Sequence, residues 1–295
     1  MSLSRFLPTD FDPALPVGIL AGRGFYPTLM VERMRRHGIP LRLVALDGET
    51  SPELIESFPR EHRTLIKVGQ LGRMLRAMES MECRYAIMVG QVRPGRLFKG
   101  LHPDFKAFRI LRSLKQRNAE TIYGAVIAEM ESIGVHTLDA RSFIDDQLAE
   151  PGIMTGGKVR IDPHTLDHGI FIATEVARLD IGQGVVVKRG TVLCTEDFDG
   201  TDAMLQRAGK YATRGKLLIK TVKPRQDYRI DVPVFGETTL RHMKEAKVEF
   251  AALAADRTIL INKPAVIELA RKLRIQLIGF EDGCTACSAQ SSDPE

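Results

Sequence analysis

The chain has few of the residues that stabilise small secreted proteins or stack on nucleic-acid bases. It contains no tryptophan, only 6% aromatic residues and four cysteines among 295 residues. So few cysteines provide no disulfide framework for a chain of this length, which agrees with a reducing compartment. The opening MSLSRFLPTDFDPALP lacks the apolar core of a secretion signal, and no run approaches the roughly 20 apolar residues of a membrane span. These absences predict a cytoplasmic protein.

Length and composition indicate more than one core. With 295 residues, 44% of them hydrophobic, the chain exceeds the roughly 250 residues at which single cores stop growing. Hydrophobic periodicity weakens over 140–163, where aspartate, proline and glycine accumulate. We therefore predict an N-terminal domain over 1–139, a linker over 140–163, a C-terminal domain over 164–283 and a flexible tail over 284–295. Cys284 and Cys287 form a C-x-x-C pair in this tail, where a frayed terminus is favoured over a zinc or redox site.

The first half alternates short apolar runs with helical patterns. Val17–Ala21, Leu41–Leu46 and Tyr85–Val89 are typical of buried strands, and the spacing over 27–37 is typical of a helix. This β-α-β order predicts a doubly wound parallel sheet, with ligands bound beyond the carboxyl ends of its strands. Two loops at such ends supply candidate substrate-binding residues. These are Gly22, Gly24, Gln91 and Arg93.

The glycine loop after the first strand has two interpretations. Glycines between a strand and a helix let backbone amides approach a phosphate, and they also permit tight turns. The letters G-I-L-A-G-R-G differ from the G-x-G-x-x-G of dinucleotide enzymes, although Asp47 follows the second strand, where such enzymes hold a ribose hydroxyl. An NAD-type oxidoreductase is therefore one alternative function, and a non-catalytic nucleotide or lipid-binding protein is another.

Carboxylates are concentrated where a predicted hairpin meets a helix. Val185–Val187 and Thr191–Thr195 are the strands of the hairpin, and the letters E-D-F-D-G-T-D follow. Their oxygens suit a hard cation such as Mg²⁺, and they suit a helix cap equally well. The polar residues of this acidic turn are Glu196, Asp197, Asp199, Thr201 and Asp202.

The segment from Lys223 to Gly236 reads K-P-R-Q-D-Y-R-I-D-V-P-V-F-G and combines cations with carboxylates. Side chains alternate between the faces of an extended stretch, so Asp227, Arg229 and Asp231 are expected to point the same way. Such a cluster on rigid backbone suits a metal-bound phosphate. On an ordinary surface strand the same charges would simply be solvated.

Basic residues and phenylalanines are interleaved over 93–117. A net charge of +5 suits an anionic ligand. We disfavour nucleic acid as a partner, because Phe105 and Phe108 are typical of the apolar side of an amphipathic helix, which can pack on the core, on lipid or on a protein partner. A solvated helix face is the simpler interpretation.

Together these segments resemble the LpxI-type UDP-2,3-diacylglucosamine pyrophosphatases of lipid A biosynthesis. The resemblance runs from Val17 to about Asp282 and rests on five motifs in order: G-I-L-A-G-R-G, G-Q-V-R-P, R-L-D-I-G-Q-G, E-D-F-D-G-T-D-A-M-L and the Lys223–Gly236 segment. It implies a Rossmann-like N-terminal domain with a parallel sheet, a family-specific C-terminal α/β domain and a ligand cleft between them. It also implies a Mg²⁺-dependent hydrolase that splits UDP-2,3-diacylglucosamine into UMP and 2,3-diacylglucosamine 1-phosphate (lipid X).

This chain departs from the family pattern in three places. Ala119-Glu120 stands where the family has paired acids at the start of a helix. The residues before Val17 and the C-x-x-C tail also fall outside the pattern. These departures bear on how the lipid is recognised more than on the chemistry.

The resemblance assigns the central catalytic role to Asp231, because the family's D-x-P motif falls on Asp231-Val232-Pro233. Asp231 is also the first predicted Mg²⁺ ligand. The remaining assignments are hypotheses that join this resemblance to the chemistry of the residues. The other catalytic candidates are Asp227 and Asp202. The other metal ligands are Asp199 and Glu196, and the further substrate-binding candidates are Gln183, Thr201, Lys223 and Arg229.

A substrate with two acyl chains resides in a lipid leaflet. We therefore expect a transient, peripheral contact with the inner leaflet of the cytoplasmic membrane, and no nucleic-acid partner. A homodimer is compatible with the sequence, which does not determine the oligomeric state.

Overall fold

The computed structural model describes residues 3–92, 103–115 and 119–281, which form two compact units. The first unit holds the described residues up to Asp145 and, in addition, Asp227–Asp231. The second holds Asp146–Gln226 and the described residues from Val232 onward. Arg93 and the Cys284/Cys287 tail of the sequence predictions lie outside the described residues.

The first unit contains a parallel sheet flanked by helices. Its strands are β1 (Val17–Ala21), β2 (Leu41–Leu46), β3 (Arg63–Ile66), β4 (Tyr85–Val89) and β5 (His136–Thr137). Its described helices are α1 (Tyr26–Arg36), α2 (Pro52–Glu56), α3 (Leu71–Ser80), α4 (Phe105–Ser113) and α5 (Ala119–Ser132). All neighbouring strands are parallel, in the order β3-β2-β1-β4-β5. The predicted Rossmann-like sheet is confirmed.

The position of β1 in this order matters for ligand binding. Ile19 of β1, Leu43 of β2 and Ile87 of β4 have no exposed surface, because a parallel sheet covered on both faces needs nearly continuous apolar runs. Polar groups that act on a ligand therefore have to lie beyond the strand ends. The strand order reverses between β1 and β4, and ligands of such sheets bind outside the carboxyl ends at that point.

The second unit is a mixed sheet with helices on both faces. Its strands are β6 (Gly152–Ile153), β7 (Gly184–Lys188), β8 (Thr191–Thr195), β9 (Lys216–Lys220), β10 (Val234–Phe235), β11 (Val248–Ala254), β12 (Ile259–Leu260) and β13 (Gln276–Phe280). Its helices are α6 (Pro163–Arg178), α7 (Gly200–Gly209), α8 (Glu237–Glu245) and α9 (Lys263–Leu273). The main sheet has the order β6-β13-β11-β9-β7-β8, and β10 pairs with β12 separately. The predicted α/β class is thus confirmed for this unit as well.

Alternating side chains divide the core of the second unit into two layers. Val185 and Val187 of β7 pack with α6, whereas Val186 faces the cluster that contains residues of α7, α8 and α9. Because β7, β9 and β11 are apolar on both faces, helices must cover both. Most of the candidate polar residues of this unit follow the ends of β8 and β9.

Helix α6 begins with a side-chain cap. The Thr165 backbone N–H donates to the Asp162 carboxylate over 2.9 Å, and Pro163 occupies the first turn. The hydrogen bonds from Thr165 also hold the pKa of Asp162 below its ordinary value. None of the described helices is long and apolar enough to cross a bilayer.

The segment predicted as a linker, 140–163, is divided between the two units. Ala140 donates its backbone N–H to Tyr228 O over 3.0 Å in the first unit, whereas Gly152–Ile153 forms β6 at the edge of the second sheet. The hydrophobic periodicity is weak here because β6 is only two residues long and the surrounding backbone consists largely of turns. The segment 140–163 thus has weak hydrophobic periodicity although its backbone packs in the two units.

Candidate functional site

Two loops meet at the carboxyl end of the first sheet, where β1 and β4 finish. Gly22 donates its backbone N–H to Val89 O over 2.8 Å, and Arg23 and Gln91 exchange backbone hydrogen bonds of 2.8 and 3.1 Å. A Cβ at position 22 would lie 2.5 Å from the Gln91 carbonyl oxygen, so a glycine is needed for this close approach. Gly22 therefore has a role in the packing of these two loops. Gly24, with a φ of 99°, and the exposed Gln91 lie beside it.

The segment Lys223–Asp231 is not extended, and the predicted alternation of its side chains is wrong. The backbone N–H groups of Ile230 and Asp231 both donate to Asp227 O, over 3.0 and 3.1 Å. The Asp227 carboxylate also accepts the backbone N–H of Arg229 over 3.0 Å. Aspartate favours such turns because its short side chain bonds the backbone two residues on, in competition with a strand. Asp227 and Arg229 therefore lie together through a turn.

Arg229 ties this turn to helix α5. Its Nε lies 3.0 Å from Asp227 Oδ1 and its Nη2 lies 2.8 Å from Asp227 Oδ2, while Nη1 donates to Glu131 Oε1 over 3.0 Å. Hydrogen bonds from Arg229 lower the pKa of Asp227, and those to Asp227 raise the pKa of Arg229. Ile230 packs against the apolar core of the same unit. Asp227 thus anchors the turn, and a phosphate bound by Arg229 would share it with two carboxylates.

Asp231 ends this turn and is exposed. Burial, and then the negative charge of Asp231, raise the pKa of Tyr123 in helix α5. Tyr123 therefore keeps its proton at neutral pH, and its pKa depends on the charge of the Asp231 carboxylate. Nothing in the sequence singles out Tyr123, because a tyrosine in a mostly apolar helix looks like a packing residue.

In the second unit, Glu196, Thr201 and Lys220 form a chain of hydrogen bonds. Lys220 Nζ donates to Thr201 Oγ1 over 2.7 Å, and Thr201 Oγ1 donates to Glu196 Oε1 over 2.6 Å. Lys220 Nζ also lies 3.6 Å from Glu196 Oε1, and the two side chains are only 9% and 13% exposed. A buried carboxylate requires such a cation. The sequence does not indicate this role for Lys220, because Lys220 is the last residue of a mostly apolar strand.

Gly182, before β7, and Gly184, the first residue of β7, make room for Glu196. A Cβ at Gly182 would lie 2.2 Å from the backbone oxygen of Glu196, and a Cβ at Gly184 would lie 2.6 Å from its Oε2. That Oε2 atom is buried and accepts no hydrogen bond from the part of the chain described. The D-I-G-Q-G motif thus serves the packing of Glu196. Gln183, between the glycines, accepts the Thr221 backbone N–H over 2.9 Å.

The other carboxylates of the acidic turn also lie close to basic side chains of the second unit. Asp197 Oδ2 is 2.8 Å from Arg207 Nη2, and Asp202 Oδ1 is 3.0 Å from His242 Nδ1. Outside this turn, Lys223 forms an ion pair with Asp180. Asp199 is exposed at the start of α7.

To bind a Mg²⁺ ion, oxygen ligands have to be oriented towards it. Across the described ranges, no group of three or more histidine, cysteine, aspartate or glutamate side chains is arranged to hold a metal. The Glu196 carboxylate is largely buried, lies close to Gly184 and already contacts Thr201 and Lys220. Phosphate-linked Mg²⁺ sites, however, need only one or two carboxylates, because substrate oxygens and water complete the shell. The exposed carboxylate of Asp231 fits that requirement.

The predicted site residues are thus distributed over both units. The first unit carries Gly22, Gly24, Gln91, Asp227, Arg229 and Asp231. The second carries Gln183, Glu196, Asp199, Thr201, Asp202 and Lys223. Within the first unit, Asp227, Arg229 and Asp231 share one turn. Within the second, Glu196 and Thr201 are in direct contact.

Comparison with known proteins agrees with the division of the chain into two units. The model of the LpxI N-terminal domain matches residues 16–147, and that of the LpxI C-terminal domain matches residues 150–278. The UDP-2,3-diacylglucosamine pyrophosphatase LpxI of Caulobacter vibrioides is 29% identical over 280 residues, which cover 90% of this chain and 97% of that protein. Because both domain models match in order over most of the chain, this protein belongs to the LpxI family and is an enzyme.

Proposed function

We propose that this protein hydrolyses the pyrophosphate of UDP-2,3-diacylglucosamine to UMP and 2,3-diacylglucosamine 1-phosphate. Support comes from the relative of that name and from both family domains. The observation that carries the proposal is the position of Asp231 in the D-x-P motif. Its carboxylate is exposed at the end of a turn that backbone hydrogen bonds and the Asp227–Arg229 pair hold in place.

The chemistry requires a nucleophile to approach clustered negative charge, so a catalyst supplies positive charge and an oriented water. Asp231 would accept a hydrogen bond from the attacking water. Arg229 would neutralise phosphate oxygens. Attack at the α-phosphorus places the solvent oxygen in UMP. Hydrolysis in ¹⁸O-water that labels the lipid product instead would contradict this direction of attack.

Mg²⁺ dependence is part of the same proposal. Asp231 would hold the ion together with oxygens of the substrate, and the bound ion would neutralise charge on the phosphates. Asp199 and Glu196 stay predicted ligands. Gln183, Thr201, Lys223, Asp202 and the β1 and β4 loops stay predicted contributors to substrate binding or catalysis.

The proposal is tested by UMP release from UDP-2,3-diacylglucosamine in detergent micelles, with Mg²⁺ and with EDTA. UMP is expected to form with Mg²⁺ and to fall to background with EDTA. Equal rates with EDTA would refute the metal dependence alone. Tight substrate binding without UMP would favour the non-catalytic nucleotide or lipid-binding alternative.

We also propose that helix α4 contacts the membrane leaflet that contains the substrate. Phe105 and Phe108 are 82% and 55% exposed. The exposed residues Arg109 and Arg112 follow each of them four positions later, on the neighbouring helix surface. Exposed aromatics beside basic residues are typical of helices that lie in a lipid interface.

Replacing both phenylalanines by serine is expected to weaken binding to anionic vesicles at least ~10-fold, because a fully buried phenylalanine contributes about 1.5–3 kcal/mol. Co-sedimentation with vesicles of phosphatidylglycerol and phosphatidylethanolamine measures the effect. Phe171→Ser is the matched control, since Phe171 is a similarly exposed helical residue of the second unit. Equal binding of the double variant and the control would indicate a solvated helix face.

A further inference from the structure

Arg141 connects the residues that precede β1 to the turn that carries Asp231. The guanidinium carbon of Arg141 is 4.1 Å from the ring centre of Phe6 and 3.5 Å from the ring centre of Tyr228. Both distances are within the range of cation–π contacts. Arg141 thus links the N-terminal segment to a residue in the middle of the Asp227–Asp231 turn.

Arg141 is held in this position from its own side of the chain. Its Nη2 lies 2.6 Å from Asp139 Oδ2, and its Nε lies 3.0 Å from Asp139 Oδ1. The residue between them, Ala140, donates its backbone N–H to Tyr228 O over 3.0 Å. The Tyr26 hydroxyl donates to Ala140 O and fixes the same residue to helix α1. These contacts leave the Arg141 side chain little rotamer freedom. Arg141 therefore couples the position of Phe6 to that of Tyr228.

The N-terminal segment has its own anchors on the first sheet. The ring of Phe11 lies 4.7 Å from the ring of Tyr85 in β4, and the backbone N–H of Asp12 donates to the Tyr85 hydroxyl over 3.0 Å. At its other end, the backbone N–H of Arg5 donates to Asp145 Oδ1 over 3.0 Å. The segment 5–12 is therefore fixed on both sides of Phe6.

We propose that the segment 5–12 is a positioning strap, in which Phe6 acts through Arg141 and Tyr228 to hold Asp231 in its catalytic orientation. This inference rests on the proposed catalytic role of Asp231. Tyr228 lies three residues before Asp231, in a turn whose backbone is closed by two hydrogen bonds to Asp227 O. Fixing the tyrosine ring consequently restricts the whole turn. The strap precedes residue 16, the first residue that the LpxI N-terminal domain matches, so it is a feature of this chain beyond the matched domains.

The test compares Phe6→Ala with Phe6→Tyr and Phe6→Leu in the full-length protein. Alanine removes the ring, tyrosine keeps it, and leucine keeps apolar volume without a π face. Loss of one cation–π contact corresponds to roughly 2- to 30-fold in an equilibrium. We expect Phe6→Ala to lower kcat for UMP release roughly 3- to 10-fold with little change in KM, and Phe6→Tyr to restore it. Phe6→Leu is expected to resemble alanine, because the π face is what contacts the guanidinium.

Amide hydrogen exchange of a peptide that covers 227–231 provides a second readout that does not depend on catalysis. Phe6→Ala is expected to accelerate exchange at Ile230 and Asp231, whose N–H groups close the turn. Unchanged exchange in Phe6→Ala would refute the strap even if the wild type proves inactive towards this substrate. Faster exchange with unchanged kcat would refute its role in positioning Asp231. A common loss of kcat in all three variants would likewise contradict the proposal, because the conservative tyrosine would then fail to rescue.

Discussion

Asp231→Asn is expected to lower kcat for UMP release by about 10³-fold, with KM changed much less. Asparagine has the same shape, but it carries no charge and accepts no proton, and a positioned acid or base typically contributes 10²–10⁴-fold. The turn should survive, because Asp231 contributes its backbone N–H to Asp227 O and that bond is retained. The loss would therefore report chemistry. Initial rates over a range of substrate concentrations in mixed micelles separate kcat from KM.

The control for this substitution is Asp256→Asn, an equally conservative change at an exposed aspartate of the second unit. Asp256 has a φ of 59°, which asparagine tolerates well, so neither folding nor activity should change. Circular dichroism of both variants checks that the fold is retained. If Asp231→Asn keeps kcat within about tenfold of the wild type, the D-x-P aspartate is not the central residue, since general acid–base effects exceed that range.

The fold was largely predictable because its signals are local. Val17–Ala21, Leu41–Leu46 and Tyr85–Val89 are buried strands whose apolar letters are nearly continuous, and their predicted bounds match the structure. The cap at Asp162 was equally readable, because one side chain and the following proline determine it. Helix α3 begins only at Leu71, because 67–70 form a turn in which Gln70 accepts the Lys67 backbone N–H. Boundaries set by such side-chain bonds leave little periodic signal.

The site was less predictable because its key contacts join residues far apart in the chain. Proximity in sequence led to the expectation of an extended stretch around Asp227, whereas the bond from the Arg229 backbone to Asp227 produces a turn. The partner of Glu196 is Lys220, which a sequence pattern presents as part of a strand. Tyr123 and Arg141 reach the Asp231 turn only through the packing of the first unit. The motifs therefore identified the important segments, while the roles of several residues within them depend on distant partners.

Lys220→Met is expected to destabilise the second unit by about 3–5 kcal/mol, the usual cost of leaving one member of a buried ion pair without its partner. The Glu196 side chain, 13% exposed and close to Gly184, would lose this cation and keep the hydrogen bond from Thr201. Adding Glu196→Gln removes the buried charge, so the double variant should recover much of the loss. Urea unfolding followed by far-UV circular dichroism measures the shift in the transition.

Lys216→Met is the matched control for this double-mutant cycle. Lys216 is a buried lysine of the same strand, but its Nζ donates to the carbonyl oxygens of Ala208 and Tyr211 over 2.8 and 2.9 Å, and burial lowers its pKa. Loss of the Lys216 ammonium group should also destabilise the unit. Adding Glu196→Gln should bring no recovery in this case, because the hydrogen bonds of Lys216 go to neutral carbonyl groups. Recovery specific to Lys220 would show that the Glu196 carboxylate needs this one cation beside it. Equal destabilisation of Lys220→Met with and without Glu196→Gln would instead mean that Lys220 stabilises the unit by its packing, and that Thr201 alone orients the Glu196 side chain.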